Sequence, residues 1–299
     1  MTRLDSYSLM VVAKYFRTCE DFENVQCVCR KFRETTEKFH FNPIPLAKKT
    51  RALFPKLETL HLYDASSEKF DDEDFFSKIF WYQVDYQTYK IFMKANDSKP
   101  VKTKNSELLF MNVKYTTKDQ KKFGIDIPPV VTLLGEECFS YCDTLTSVVL
   151  SNSVKSIGRQ CFFHCVNLLN AKLPESVSSI GFGAFSYCYK LSEITMPRYM
   201  KSIGNYCFDG CKELKKITIP NGVEVIHKKC FNNCKSLREI NIPQGLKELE
   251  EGAFYGCKEI TNLGFVTKVI KFGKGCFGET SVFSWGNQIP NTAFVRIEI

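Results

Sequence analysis

Tryptophan occurs only twice in 299 residues, and histidine, the side chain that most often serves as catalytic base and metal ligand, only four times. The four histidines, His40, His61, His164 and His227, stand in unrelated contexts, and none joins a nucleophile and a carboxylate in a recognisable arrangement. Neither G-x-x-x-x-G-K-[ST] nor G-x-G-x-x-G after a strand occurs. The chain is therefore expected to be no enzyme, with no catalytic residue, metal ligand or cofactor. No apolar run approaches the roughly 18 residues of a membrane span. The Leu9 to Ala13 run is too short for a secretory signal, so a cytoplasmic protein is expected, with the nucleus possible and surface display left open. A net charge of +8 is too mild by itself to argue for nucleic acid.

Cysteine and phenylalanine are the opposite case, at 14 and 26 residues. Both are spent on a repeat. Phe139, Phe162, Phe185, Phe208, Phe231, Phe254 and Phe277 follow one another at a fixed step of 23 residues. Three residues after the first six come Cys142, Cys165, Cys188, Cys211, Cys234 and Cys257, and the residue before each Phe is Cys or Ala. Leu214, Ile217, Ile219, Pro220, Val223 and Ile226 represent the rest of the unit. Ile217 and Ile219 alternate as a short strand that Pro220 ends. Ile203, Cys207 and Cys211 fall at i, i+4 and i+8, which predicts about two helical turns with one buried face. One such unit cannot bury its apolar side alone, but a stack of them can, which predicts an α/β solenoid. Eleven of the 14 cysteines lie in two columns of the repeat, one per coil, which fits packing rather than the clustered ligands of a metal site. Glycines such as Gly204 recur with the unit and read as turn markers.

The unit, with its [AC]-F-x-x-C segment, resembles the BspA-type leucine-rich repeat, a class found on bacterial surfaces and expanded in protozoan parasites. The resemblance covers residues 122–283 as seven units. It implies a leucine-rich-repeat arc with a parallel β-sheet on the concave face, and a protein-binding role.

Residues 1–45 read as helices, with Leu4, Leu9, Val12 and Phe16 in one stripe and Phe22, Val25, Val28 and Phe32 in a second. The run from Leu4 through Val12, Tyr15, Phe16, Asp21, Phe22, Val25 and Val28-Cys29-Arg30-Lys31-Phe32-Arg33 resembles an F-box. That implies docking on the Skp-type adaptor of cullin-RING ubiquitin ligases; the alternative is a small α-helical cap over the end of the solenoid. Residues 46–121 form an irregular region of degenerate repeats, where Leu57 to Tyr63 reads as one strand and Trp81 to Tyr86 as another. The acidic run Asp71 to Asp74 reads as a solvated loop, and Lys99 to Lys104 as a flexible basic one. Lys78, Ile79 and Trp81 fit the short docking motif of type-1 protein phosphatase regulators. Residues 284–299 are expected to close the other end as a C-terminal cap.

The repeat register also names surfaces. Val149, Lys172, Thr195, Thr218, Asn241 and Gly264 form one outward strand column, and Ser147, Asn170, Glu193, Lys216, Glu239 and Asn262 the other. With neighbours about 4.8 Å apart, Glu193, Lys216 and Glu239 alternate in sign, giving a polar face without a strong field. A nucleic-acid groove would place stacked aromatics and a positive stripe there. Lys212, Lys235 and Lys258 follow the repeat cysteines as a basic edge that either attracts an acidic partner or anionic lipid or is a solvated border. Tyr141, Phe163, Phe182, Tyr187, Tyr189, Tyr199 and Tyr206 predict an aromatic patch on the outer side and turn edge, serving as a contact site or packing internally. The functional expectation is a protein-interaction scaffold or adaptor, as ubiquitin-ligase substrate receptor, type-1 phosphatase regulator or BspA-type adhesin.

Overall fold

The computed structural model of the protein describes residues 6–28, 32–98, 107–261, 269–281 and 289–297. Leu4 and residues 29–31 of the F-box-like run, the basic loop 99–104, and Asn262 and Gly264 of the strand columns lie outside the described residues. The chain divides into two compact units, Met1–Val113 and Lys114–Ile299.

The first unit opens with helices α1 (Ser6–Ala13) and α2 (Cys19–Val28). Thr18 and Asp21 start α2 by a reciprocal cap: Thr18 Oγ1 accepts from the Asp21 N–H at 3.2 Å, and Asp21 Oδ2 accepts from the Thr18 N–H at 2.9 Å. Leu9, Ala13 and Phe22 are buried, and Phe22 meets Phe39 and Phe54 edge-on at 5.8 and 5.1 Å. Val12 and Val28, expected in the apolar stripes, are exposed instead. The buried line of α1 runs through Leu9 and Ala13, one turn apart, and Val12 falls beside it.

Strands β1 (Thr59–Leu62), β2 (Ser77–Phe80) and β4 (Glu107–Phe110) form a parallel sheet with β2 in the middle. β1 matches the degenerate strand expected around Leu60. The strand expected over Trp81 to Tyr86 shrinks to β3 (Val84–Asp85), because Asp85 caps the helix α3 (Tyr86–Asp97), its Oδ1 accepting from the Thr88 N–H at 2.6 Å.

The second unit is a stack of coils. After β5 (Val113–Tyr115) and α4 (Thr117–Phe123), the described residues of the coils form two families of short strands. One family is β6 (Leu133–Leu134), β8 (Ser156–Ile157), β10 (Ser179–Ile180), β12 (Ser202–Ile203), β14 (Val225–Ile226), β16 (Glu248–Leu249) and β17 (Lys271–Phe272). The other is β7 (Ser147–Val149), β9 (Asn170–Lys172), β11 (Glu193–Thr195), β13 (Lys216–Thr218) and β15 (Glu239–Asn241). Every observed pairing between these strands is parallel, as in Ser179↔Ser202 and Lys216↔Glu239, one repeat apart. The middle residue of each strand in the second family faces inward and its neighbours outward.

The helical segment expected around Cys207 and Cys211 does not form. In all seven coils the residues two before and two after the repeat phenylalanine have positive φ, as at Tyr206 (57°) and Gly210 (72°) around Phe208. These corners turn the backbone so that its N–H groups alternate in direction. Tyr206, Phe208 and Gly210 donate to Lys228, Cys230 and Asn232 of the next coil, whereas Asp209 and Cys211 donate three residues back within their own coil. Every backbone donor from Tyr206 to Cys211 except Cys207 thus has an identified acceptor. The inward face is as expected: Cys207, Phe208 and Cys211 are fully buried. Gly204 serves close approach rather than a positive-φ turn, since a Cβ there would lie 2.6 Å from the Gly181 carbonyl carbon of the preceding coil. His227 and Glu250 hold the same position in later coils and meet each other at 3.2 Å.

The repeat phenylalanines form one continuous stack. Successive ring centroids lie 5.1 to 5.8 Å apart from Phe139 to Phe277, with planes within 16°. Tyr115 extends the stack at 6.0 Å from Phe139, and Phe294 extends it at 6.1 Å from Phe277. At the latter end, Gly275 and Phe277 donate to the carbonyls of Thr292 and Ala293 at 2.8 and 2.7 Å. Donors that earlier coils pass to the next coil are thus met by a short terminal turn.

Candidate functional site

Both cysteine columns are interior except at Cys142, which is half-buried. Among the described residues every cysteine is a free thiol, and no group of three or more His, Cys, Asp or Glu is placed to hold a metal ion. The column after the phenylalanine has a specific backbone role: Cys165, Cys188, Cys211, Cys234 and Cys257 each place Sγ 3.0 to 3.2 Å from the phenylalanine carbonyl of the preceding coil. Burial pushes the thiols of Cys138 and Cys276 up to about 12, and those of Cys161, Cys207, Cys211 and Cys230 up as well. A thiol held protonated and out of solvent is a packing group rather than a nucleophile.

The strand columns are solvent-facing where they are described. Lys172, Glu193, Thr195, Lys216, Thr218, Glu239 and Asn241 are all exposed at the ends of their short strands. Lys216 Nζ reaches Glu239 Oε2 at 3.4 Å, and Asn241 Nδ2 donates to Thr218 Oγ1 at 3.4 Å. The face is polar and cross-braced between coils. It is carried by strands whose inward residues, such as Ile194 and Ile217, are buried.

Two groups of surface residues depart from that neutral pattern. The expected aromatic patch divides into a turn-edge cluster and a pair. Tyr141, Phe163, His164, Tyr187 and Tyr189 form a connected ring network, with centroids 5.0 to 6.4 Å apart. Phe182 and Tyr206 pair separately at 5.3 Å, with the Arg159 guanidinium 4.8 Å above Phe182. Tyr199 is 77% exposed and belongs to neither. His164 was not foreseen in this cluster; its signal in the sequence is that it occupies the repeat position of Tyr141 and Tyr187. Lys212, Lys235 and Lys258 are all exposed. Lys212 Nζ lies 4.2 Å from the centroid of Tyr189, which joins the lysines to the ring network.

The phosphatase-docking expectation for Lys78, Ile79 and Trp81 is corrected by the fold. Lys78 is buried, its Nζ held by the carbonyl of Lys69 at 2.5 Å and by Asp71 at 3.4 Å. Strand β2, which carries Lys78 and Ile79, is paired on both edges, so it presents no extended backbone to a partner. Only Trp81, just past the strand, is exposed.

The coil geometry and the 23-residue step coincide with a known repeat model, described as the BspA type leucine rich repeat region, which matches residues 115–218 and 179–294 in six copies. The chain belongs to this family. Solved structures similar to this BspA-type chain include a leucine-rich repeat protein of T. pallidum, with 31% identity, a TM-score of 0.49, and coverage of 56% of this chain and 76% of that one. A leucine rich cell surface protein from Faecalibacterium prausnitzii shows 31% identity, a TM-score of 0.46, and coverage of 50% and 40% respectively. A leucine-rich repeat protein from Bacteroides ovatus shows 29% identity, a TM-score of 0.47, and coverage of 53% and 49%. The chain thus spans less than half the length of the latter two. No curated protein matches. Among the described residues, no helix of this BspA-type protein is long and apolar enough to cross a membrane.

Proposed function

We propose that the protein is a non-enzymatic interaction scaffold: a BspA-type solenoid that presents the outward strand columns to a protein partner. The carrying observation is the division of labour within each coil. Ile194 and Ile217 face the core, while Thr195, Lys216, Thr218 and Asn241 vary on the exposed side without affecting the stack. A photo-cross-linking residue at Thr218 or Asn241 tests this. The expected result is one partner protein cross-linked from both positions, with the Asn241 cross-link lost when Thr195→Lys/Thr218→Lys is introduced. Undiminished cross-linking in that variant would remove the strand face from the proposal.

The adaptor version, with the first helices docking a Skp-type protein in the cytoplasm, is supported by the apolar surface they leave open. Val11, Val12, Tyr15 and Val28 are all exposed on α1, α2 and the turn between them. Deleting residues 1–45 would remove Ala13, Phe22 and Phe39 from the unit's core, so surface substitution is the sounder test. Titration of a purified Skp adaptor against the intact chain and Val12→Glu/Tyr15→Glu should show binding only to the former. No binding to either would sink the ligase version. Membership of a family found on bacterial surfaces supports the adhesin version, and labelling of intact source cells with an impermeant reagent separates the two.

A further inference from the structure

The turn edge of the coils carries a surface that the strand-face reading does not use. Four positions after each repeat phenylalanine stand, coil by coil, Asp143, Val166, Tyr189, Lys212, Lys235 and Lys258. Side chains at this position run from acidic Asp143 through Val166 and Tyr189 to three successive lysines, and end at Ser281.

The cationic half is uncompensated. Some lysines of the coils pair with a carboxylate of a neighbouring repeat: Lys216 with Glu239, Lys228 with Glu251, Lys247 with Glu224, and Lys271 with Glu248. Lys212, Lys235 and Lys258 make no ion pair among the described residues, although the exposed Glu213 and Glu259 adjoin two of them in sequence. They recur one per coil along the stack of rings, so like charge repeats along this edge. An anion laid along such a row offsets the like charge repeated on successive coils.

The aromatic half shows a second departure. The residue two after the phenylalanine has positive φ in every coil, a conformation that glycine and asparagine adopt at least cost. In the lysine-bearing coils that corner is Gly210, Asn233 or Gly256, as expected. In the first three coils it is Tyr141, His164 or Tyr187, with φ of 57° to 58°. The rings at these corners pack on one another and the Tyr187 hydroxyl meets Asp209, yet Tyr141 stays 64% exposed, which leaves ring surface open to a partner. Their geometry limits what that is. Tyr141 and Phe163 are inclined at 74°, Phe163 and Tyr187 at 87°, and His164 and Tyr189 at 74°, while His164 makes 37° with Tyr141 and 55° with Tyr187. Rings so crossed give no run of coplanar platforms for sugars or bases; they give notches between edge and face that accept an aromatic or aliphatic side chain.

We propose that this edge is a docking ridge for an extended acidic peptide segment of a partner protein, with an apolar side chain seated among Tyr141, His164 and Tyr187 and the following carboxylates laid along Lys212, Lys235 and Lys258. Lys212, over the face of Tyr189, is the joint between the two halves. The ridge lies upstream of the strand columns in each coil, so it stands or falls independently of them.

Fluorescence anisotropy with the full chain tests it, using as probe a fluorescein-labelled peptide of one phenylalanine followed by a run of glutamates. Saturable binding is expected, weakening with salt as the Debye length falls from about 10 Å at 0.1 M to about 3 Å at 1 M. Lys212→Glu/Lys235→Glu/Lys258→Glu should weaken it by at least about tenfold, with a smaller loss in the neutral triple Lys→Gln variant, which carries the test if the charge-reversed chain does not fold. Tyr141→Ser/Tyr187→Ser should abolish the preference for the probe over a glutamate run without phenylalanine. Lys228→Glu should change nothing. Absence of saturable binding, equal binding by the lysine variants, or tighter binding of a sulfated polysaccharide or of phosphatidylserine vesicles than of the probe would overturn the proposal.

Discussion

The Cys211 thiol sulfur lies 3.2 Å from the carbonyl oxygen of Phe185, 26 residues earlier, and the same relation joins four other pairs along the stack. That carbonyl already accepts from the Cys188 N–H at 3.3 Å within its own coil. The thiol is therefore a second donor to an oxygen in the dry interior, delivered by a side chain small enough for the space between coils. This distinguishes the column after the phenylalanine, occupied by cysteine in six coils, from the one before it, where Ala184 and Ala253 replace cysteine.

The two columns should respond differently to truncation. Cys211→Ala removes both the buried sulfur and the donor to Phe185, and is expected to destabilise by about 1–2 kcal/mol in urea unfolding, whereas Cys207→Ala should cost less than about 1 kcal/mol. Cys211→Ser, which restores a donor, should recover part of the loss. Equal effects at the two positions would reduce the Cys211 contact to simple packing.

Alkylation separates the cysteines by location. In native protein Cys27, exposed, and Cys19 and Cys142, half-buried, should react with iodoacetamide. The interior thiols of Cys161, Cys207, Cys211 and Cys230, raised by burial, should react only after unfolding, as read by peptide mass spectrometry. Rapid native labelling of Cys207 would place it in a reactive site.

The repeat was legible because its period is written in the core, where Phe, Cys and Leu recur at each coil. The turn conformation was not. The spacing of Cys207 and Cys211 suits a helix as well as a bend with two left-handed corners, and residues such as Gln160 and Tyr206 at those corners carry no glycine signal. Tyr115 and Phe294 were missed as end members of the ring stack because they stand off the 23-residue step. The exposed columns of the candidate surface followed directly from the register. The burial of Lys78 did not, since a four-residue motif says nothing about whether its strand lies at the edge or the centre of a sheet.

Asp209 should make stability depend on pH. Its buried carboxyl is pushed up by desolvation, against the opposing effects of the Asn232 amide at 2.7 Å, the Lys229 charge and the Tyr187 hydroxyl. A carboxyl whose folded pKa exceeds its unfolded one binds more protons in the native state between the two values, so its contribution to stability falls as pH rises through that window. Asp209→Asn removes the buried charge, keeps an acceptor for Asn232 Nδ2, and supplies a donor for Asn232 Oδ1, which is buried without a partner among the described residues. The variant should melt higher than the parent at pH 7, with the gap closing toward acid. A gap independent of pH would mean that Asp209 is not the titrating group.

The left-handed corners can be tested where no steric contact confuses the result. Gly183 has φ of 56°, and a Cβ added there would meet Gln160 Cγ at 3.4 Å and Ser186 Cβ at 3.7 Å, both ordinary contacts. Gly183→Ala should therefore lose about 1 kcal/mol from backbone conformation alone. One coil earlier, Gln160 holds the same corner at φ of 49°. Gln160→Gly relieves that conformation while making the unfolded chain more flexible, and the two effects are of similar size, so it should not destabilise. A helical segment would respond in the opposite sense: Gly183→Ala would stabilise it and Gln160→Gly would weaken it by about 1 kcal/mol. The pair of unfolding free energies thus decides between a chain of turns and a helix at the outer edge of the coil.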